Sequence, residues 1–224
     1  MLTAHTDQIH SRAAPFSLLG VRIGTRMTVV RLQGGELLVH SPVPLDGALR
    51  SAVDALGPVA HVVCPNVYHH AFAGAWVEAY PRATVHAPRA LRRKRRDLRI
   101  DRDLEDARPE TFGGELVPLH VDGCMIDETL FVHPSSRTVV SSDLTENFAS
   151  ADHAWTRLYL KVSGLYGRPG WGRLLRPLYR DRRAARRSVD RLLEHDFDRV
   201  MLAHGEPIET GGKDAVRSTF EFLG

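Results

Sequence analysis

The chain has 224 residues, of which 43% are hydrophobic and 25% charged, and its formal net charge is +3. That balance excludes a disordered chain and fits a globular protein with one large domain or two small ones. Lys94, Lys161 and Lys213 are the only lysines among 30 basic residues, so arginine carries the positive charge. Its planar fork suits carboxylate and phosphate, which permits an anionic substrate without demanding one.

Met27 to Leu32 and Glu36 to His40 read as two strands separated by Gly34-Gly35, a hairpin signal. Leu45, Leu49, Val53 and Leu56 then recur at helical spacing until Gly57-Pro58 stops the helix. Ala60 to Val63 is a short buried strand, interrupted at Pro65-Asn66. Phe72, Ala75, Trp76 and Ala79 define a second helix ending before Pro81, and Thr84 to His86 fits another strand. Leu91 to Asp106 is dense in charge. The string LRRKRR from Leu91 to Arg96 is countered at once by Asp97, Asp101, Asp103, Glu105 and Asp106, which reads as a solvated face rather than a phosphate or nucleic-acid patch.

Three strands follow Gly113-Gly114: Leu116 to Val121, Thr129 to His133 and Thr138 to Ser141. A Trp/Tyr/Arg-rich stretch runs from Trp155 to Tyr179. Its aromatics are expected mainly in packing, and its glycines and prolines suit a loop over one edge of the fold. Ala185, Val189, Leu192 and Leu193 mark a further helix with Asp181 as its N-cap. Val200 to Ala203 is a last strand, His204-Gly205 a sharp turn, and Ala215 to Leu223 a closing helix. Strands in this number, with helices between them, fit two sheets sandwiched between helices better than one doubly wound sheet. The expected class is α/β (α+β), a four-layer αββα sandwich spanning residues 21–224 as one domain after an N-terminal extension, residues 1–20.

Cys64 and Cys124 form no CxxC pair, so a reducing compartment is expected. The first twenty residues lack the continuous apolar stretch of a signal peptide. No run approaches the ~18 apolar residues that span a bilayer. A cytoplasmic protein with a small-molecule substrate, and neither membrane nor nucleic acid as partner, is the expectation.

Twelve histidines invite a search for metal ligands. His5 and His10 are expected in a tail, and His153 and His195 on the surface. Four other groups stand out, because they follow predicted buried strands: His69 and His70 after Ala60–Val63, Asp143 after Thr138–Ser141, and His204 after Val200–Ala203. Strand ends are where side chains from distant sequence converge. Three imidazoles and a carboxylate would suit one divalent transition metal, zinc or else iron or manganese, with a position left for water.

The order of these groups resembles the metallo-β-lactamase superfamily, whose pattern is H-x-H-x-D-H, then His, then Asp, then His before Gly. Within it the chain is most similar to the DUF4336 family, through the strings CPNVYHHAFAGAWVEAYPRATVHAP, ETLFVHPSSRTVVSSDL, RDRRAARRS and DFDRVMLAHGEPI. The resemblance covers roughly residues 20 to 224 and implies the αββα sandwich and a hydrolase ancestry. It brings no substrate. The paired His-x-His is missing in either register: Pro65 and Val67 hold those places if His70 is the last histidine, Cys64 and Asn66 if His69 is. The resemblance therefore implies a reduced, one-metal site of His69, His70, Asp143 and His204. His120 would belong to the lost position and is expected in a plain surface or core role, while His133 is a candidate for lining the site.

If the site is active, the metal would lower the pKa of bound water from about 15.7 towards ~7. Asp143 is the expected catalytic residue, orienting that water or taking its proton. Arg137, or a basic residue of the Leu91–Arg96 run, would stabilise negative charge. The expected function is a metal-dependent hydrolase of a small anionic or ester-like substrate. The alternative is a non-catalytic binding or scaffold protein of the same fold that has lost its metal, with no cofactor at all.

Overall fold

Alternation along the strands decides which layer each side chain enters. In strand Thr25–Arg31, Val29 turns to one face and Val30 to the other; in Leu37–His40 the pair is Val39 and Leu38, and in Val59–Val63 it is Val62 and Val63. The computed structural model describes residues 1–224. Its helices are α1 (Gly47–Asp54), α2 (Ala73–Ala79), α3 (Leu91–Lys94), α4 (Ala154–Ser163), α5 (Arg182–Glu194) and α6 (Gly212–Thr219).

Val29, Val39 and Val62 join Leu49 and Val53 of α1 and Trp76 of α2 in one apolar cluster. Val30, Leu38 and Val63 face a second sheet, from which Phe131, Val140 and Met201 meet them. The far side of that sheet gives Val132, Val139 and Val200 to a third cluster with Ala185, Val189 and Leu192 of α5 and Val216 of α6. Helix, sheet, sheet, helix: the four layers are the expected αββα sandwich. Phe131 is fully buried between the sheets, and burial of such a side chain contributes about 1.5–3 kcal/mol.

The first sheet runs in the order Thr3–Ala4, Ile9–Ala14, Thr25–Arg31, Leu37–His40, Val59–Val63, Thr84–Ala87, Arg102–Asp103. It is antiparallel as far as Leu37–His40 and parallel beyond. The second runs Val117–His120, Thr129–His133, Thr138–Val140, Arg199–Met201, with only the last pairing parallel. Two short antiparallel pairs, Ser17–Leu18 with Val21–Arg22 and Glu146–Asn147 with Pro169–Gly170, lie outside both sheets.

The expected strands and helices recur with ends shifted by at most four residues. Asp181 caps α5 as expected, accepting from the Ala184 amide at 2.9 Å. The aromatic stretch divides into α4 and a 3₁₀ turn, Arg173–Leu178. Residues 1–20, set apart in sequence as an extension, are no loose tail. Ile9–Ala14 pairs along its whole length with Thr25–Arg31, and Ile9 is buried between the sheets.

Parallel pairing brings strand ends of distant sequence to one edge. Val140 stands opposite Met201, and beyond them the Ala203 amide donates to the Ser142 carbonyl at 3.1 Å. Asp143 and His204 therefore leave the second sheet side by side. Across the sandwich, His40 stands opposite Val63, and the loops after both strands reach the same edge with Ser41 and Asn66–His69.

Candidate metal centre

Asn66 organises the first loop. Its buried Oδ1 accepts from the amides of Tyr68 at 2.8 Å and His69 at 2.9 Å, and its Nδ2 donates to Asp143 Oδ2 at 2.8 Å. One amide side chain thus shapes the turn that carries His69 and orients the carboxylate facing it. Glu128 does the same for the second loop, accepting from the amides of Ser142 at 2.7 Å and Asp143 at 3.1 Å. Burial, with Asp143 close by, pushes the Glu128 carboxyl up to about 8.

The third loop turns at Gly205, whose φ is 82°. A Cβ there would lie 2.0 Å from the Asn147 carbonyl oxygen, so only glycine fits. Arg26, buried on the first sheet, donates to the carbonyls of Leu202 at 3.3 Å and Gly205, and pairs with Glu206 at 3.3 Å. It ties the loop to the opposite sheet.

Three ligand atoms meet where these loops converge. His69 Nε2 lies 3.3 Å and His204 Nε2 3.4 Å from the same Asp143 Oδ1. All three atoms lie within 4.8 Å of one another. Each imidazole is held from behind: His204 Nδ1 donates to the Gly24 carbonyl at 2.8 Å, and His69 Nδ1 meets Ser41 Oγ at 2.7 Å. Such outer partners fix ring orientation and leave Nε2 as the inward atom. Two Nε2 atoms and one carboxylate oxygen suit a divalent transition metal. The 3.3 and 3.4 Å separations match the edge, roughly 3.3 Å, of a tetrahedron with ~2.0–2.1 Å metal–ligand bonds.

Electrostatics agree with a site that takes a cation. Burial opposes ionisation of Asp143, yet His69 and His204 hold its carboxyl far below the usual carboxylate range. Burial would lower His204, but Asp143, Glu146 and the Gly24 carbonyl raise it to about 9. Without an ion, a proton on His204 therefore balances Asp143.

His70 is not brought to this point. Its Nδ1 faces Arg95 Nη1 at 3.0 Å, and its carbonyl accepts from the same group at 3.2 Å. Burial and the nearby Lys94 and Arg95 lower its pKa. Adjacent residues in a turn point apart, and only His69 faces Asp143. The four-ligand set expected from the sequence is thus corrected to three.

Nor does His133 line the site. It stands opposite Thr138, at the end of the sheet away from Asp143, and bonds Ser136 at 2.7 Å and Ser135 at 3.2 Å. His120 lies 3.4 Å from Asp127 and 3.3 Å from Thr129. Cys64 is buried among Ala73, Ala87 and Leu91, and burial pushes its thiol up to about 12. None of the basic residues expected to meet negative charge lines the cavity beside these groups, and three are paired elsewhere. Arg137 pairs with Asp196 at 2.9 Å, Arg92 with Asp103 at 2.6 Å and Arg95 with Asp97 at 2.7 Å. Of the acids after LRRKRR, Asp97 and Asp103 pair with its arginines, while Asp101 pairs with Arg99 and Asp106 with Arg89.

A cavity of about 310 Å³ opens onto His69, Asp143 and His204. Phe16, Ile23, Phe72, Trp171, Leu175 and Leu178 form much of its wall, with Tyr159 and Glu146. The Glu146 carboxyl is buried, its Oε2 has no partner, and burial pushes it up to about 7 against the pull of His204.

Sequence reasoning missed Asn66, Glu128, Glu146, Arg26 and Ser41. Asn66 alone left a trace, as the break after a buried strand. The others sit in plain polar contexts whose partners lie between 14 and 180 residues away.

Residues 6–90 match the family model described as a domain of unknown function, DUF4336. This segment carries His69 but neither Asp143 nor His204. No curated protein sequence matches the chain. Among solved structures, a metallo-β-lactamase from Pontibacter korlensis is 11% identical, with a TM-score of 0.69 over 100% of this chain and 98% of that one. The metallo-β-lactamase FIM-1 from Pseudomonas aeruginosa, in its mono-zinc form, is 12% identical, with a TM-score of 0.66 over 100% and 94%. DIM-1 metallo-β-lactamase is 13% identical, with a TM-score of 0.69 over 100% and 97%. At these identities the likeness establishes the fold, which is the metallo-β-lactamase αββα sandwich.

Proposed function

We propose that the chain is a metal-dependent hydrolase with a mononuclear site formed by His69, Asp143 and His204. The observation that carries this reading is the convergence of three ligand atoms whose imidazoles are each fixed from outside. A divalent ion held there would supply a water ionisable near neutral pH, and zinc suits the two imidazoles and one carboxylate best, with iron or manganese next. The chain's own groups then divide the work. Asn66 holds Asp143 Oδ2, leaving Oδ1 towards the imidazoles. Glu146, whose acid form persists up to about pH 7, stands in the cavity wall where a leaving group can receive a proton. The apolar walls exclude bulk water, which strengthens every charge interaction inside.

Metal analysis of protein purified without added metal, paired with the His69→Ala and His204→Ala variants, tests the assignment. About one equivalent in the wild type, lost in both variants, supports it. Protein that takes up no zinc even on titration overturns it.

A second reading has one observation in its favour. The His204–Asp143 pair satisfies the cluster with a proton alone, so a non-catalytic binding protein of this fold would need no ion. In that case substitution of His204 would alter stability and leave no metal-dependent property to lose.

A further inference from the structure

The basis is the cavity wall, and the inference rests on the hydrolase reading above. Eleven of the seventeen residues lining the cavity are apolar, and none is arginine or lysine. Three of the cations in neighbouring segments face other groups. Arg26, beside Thr25, holds the carbonyls of Leu202 and Gly205. Lys94 donates to the Val67 carbonyl at 2.6 Å and sits 4.9 Å over the Tyr68 ring. Arg176, between Leu175 and Leu178 in its turn, lies 4.6 Å over the Phe222 ring.

The ionisable groups that do face the cavity, besides the two imidazoles and the phenols of Tyr68 and Tyr159, are the carboxyls of Asp143 and Glu146. A bound dication would be faced by the Asp143 carboxylate and by the hydroxide that its water yields, and the wall adds no cation to receive an anionic substrate. This opposes the anionic class that the arginine-rich composition permits. A carboxylate or phosphate lying against this wall, away from the ion, would be desolvated with no partner, at a high cost.

From this wall we infer that the substrate is a neutral, lipophilic carboxylic ester whose acyl chain lies against Phe16, Ile23, Phe72, Trp171, Leu175 and Leu178. At the ~30 Å³ that one water occupies in the liquid, the 310 Å³ space holds on the order of ten non-hydrogen atoms. That is an ester group with a medium-length chain. Leu18, 57% exposed, is part of the lining, so the apolar surface continues from the cavity to its rim and offers such a chain a path inward.

The chemistry balances without a further reactant. Water oxygen bonds to the acyl carbon, the acyl C–O bond breaks, and the leaving alkoxide takes a proton, giving an acid and an alcohol. The acid ionises at neutral pH, and its carboxylate then faces Asp143 and Glu146. The site that admits the neutral ester thereby repels its product.

Two probes separate this substrate class from the hydrolase reading on which it rests. The first is calorimetric titration of the zinc-loaded protein with unreactive methyl ketones from butanone to nonanone, beside alkanoates of the same lengths. Affinity for the ketones is expected to rise about fourfold per methylene, which corresponds to ~0.8 kcal/mol, and then to level off, with weaker binding of the alkanoates at each length. Alkanoates binding as tightly as ketones, or no dependence on chain length, overturns the class. The second is the rate with p-nitrophenyl esters from acetate to octanoate, set against a carboxylate-bearing succinate half-ester. A rise in kcat/KM that parallels ketone affinity supports both readings. Ketone binding without turnover of any ester refutes hydrolysis and leaves the lipophilic site standing. Turnover that is flat with length, or fastest for the half-ester, keeps the hydrolase and refutes the class. Ile23→Phe, which narrows the wall, is expected to shift the preferred chain to a shorter member in both assays; an unchanged optimum in a folded variant places the chain elsewhere.

Discussion

Asn66 and Asp143, 77 residues apart, share a buried 2.8 Å hydrogen bond, and the same asparagine caps the turn that presents His69. Replacement by alanine removes the partner of Asp143 Oδ2 and loosens that turn together. Metal affinity of Asn66→Ala should fall about 10–100-fold, the usual effect of losing a group that orients a ligand. Competition with a chromophoric chelator measures it, and wild-type affinity in the variant would remove Asn66 from the site.

His70 offers the contrast. Because it faces Arg95 rather than Asp143, His70→Ala should keep its full metal content while His69→Ala and His204→Ala lose theirs. Elemental analysis of the three purified variants decides between the corrected three-ligand set and the four-ligand set.

Glu146→Gln tests the proton donor. The amide keeps the shape of the carboxylic acid and carries no transferable proton, so kcat should drop about 10²–10⁴-fold with metal content unchanged. In the wild type the acid form is lost as pH rises through about 7, so kcat should decline on that side. A variant with wild-type kcat and an unaltered alkaline limb excludes the role.

Gly205→Ala should destabilise the fold by about 1–3 kcal/mol or more, the usual range for strained backbone, because its Cβ would meet the Asn147 carbonyl at 2.0 Å. At about 2–4 °C per kcal/mol for a chain of this size, thermal unfolding should shift down by several degrees. An unchanged Tm would contradict the geometry of the turn.

Acid stability should reflect His86. It is fully buried, 3.0 Å from His61, and burial lowers its pKa from 6.5 to about 3. Above pH 6.5 neither folded nor unfolded chain protonates it, and its contribution is intact. Between 6.5 and about 3 the unfolded chain takes up a proton that the folded chain refuses, so stability falls with pH. The slope from this one group approaches about 1.4 kcal/mol per pH unit. Urea midpoints measured across that range should flatten in His86→Leu relative to wild type.

Much of the architecture is legible because hydrophobic alternation and glycine punctuation are local signals. Val29 and Val30, or Val139 and Val140, announce a strand buried on both faces. Ile9–Ala14 escaped because IHSRAA has one β-branched residue and its pairing is with Thr25–Arg31. The strand-end rule brought out His69, Asp143 and His204 and could not separate His69 from His70, since side-chain direction within a turn depends on Asn66. Glu128 and Arg26 act through backbone groups and Ser41 through the His69 imidazole, all well away in sequence, which no local pattern encodes.

The contacts of Gly24 and Arg26 with the His204 loop have a consequence in time as well as space. During synthesis, His69 and Asp143 emerge long before the strand Arg199–Met201 and the turn behind it. Until that strand inserts beside Thr138–Val140, the site lacks one imidazole and the two sheets lack the clasp between them. On the proposed function, a growing polypeptide would hold no competent ion site, and capture of an ion would mark the moment at which the two halves of the sandwich have closed on each other.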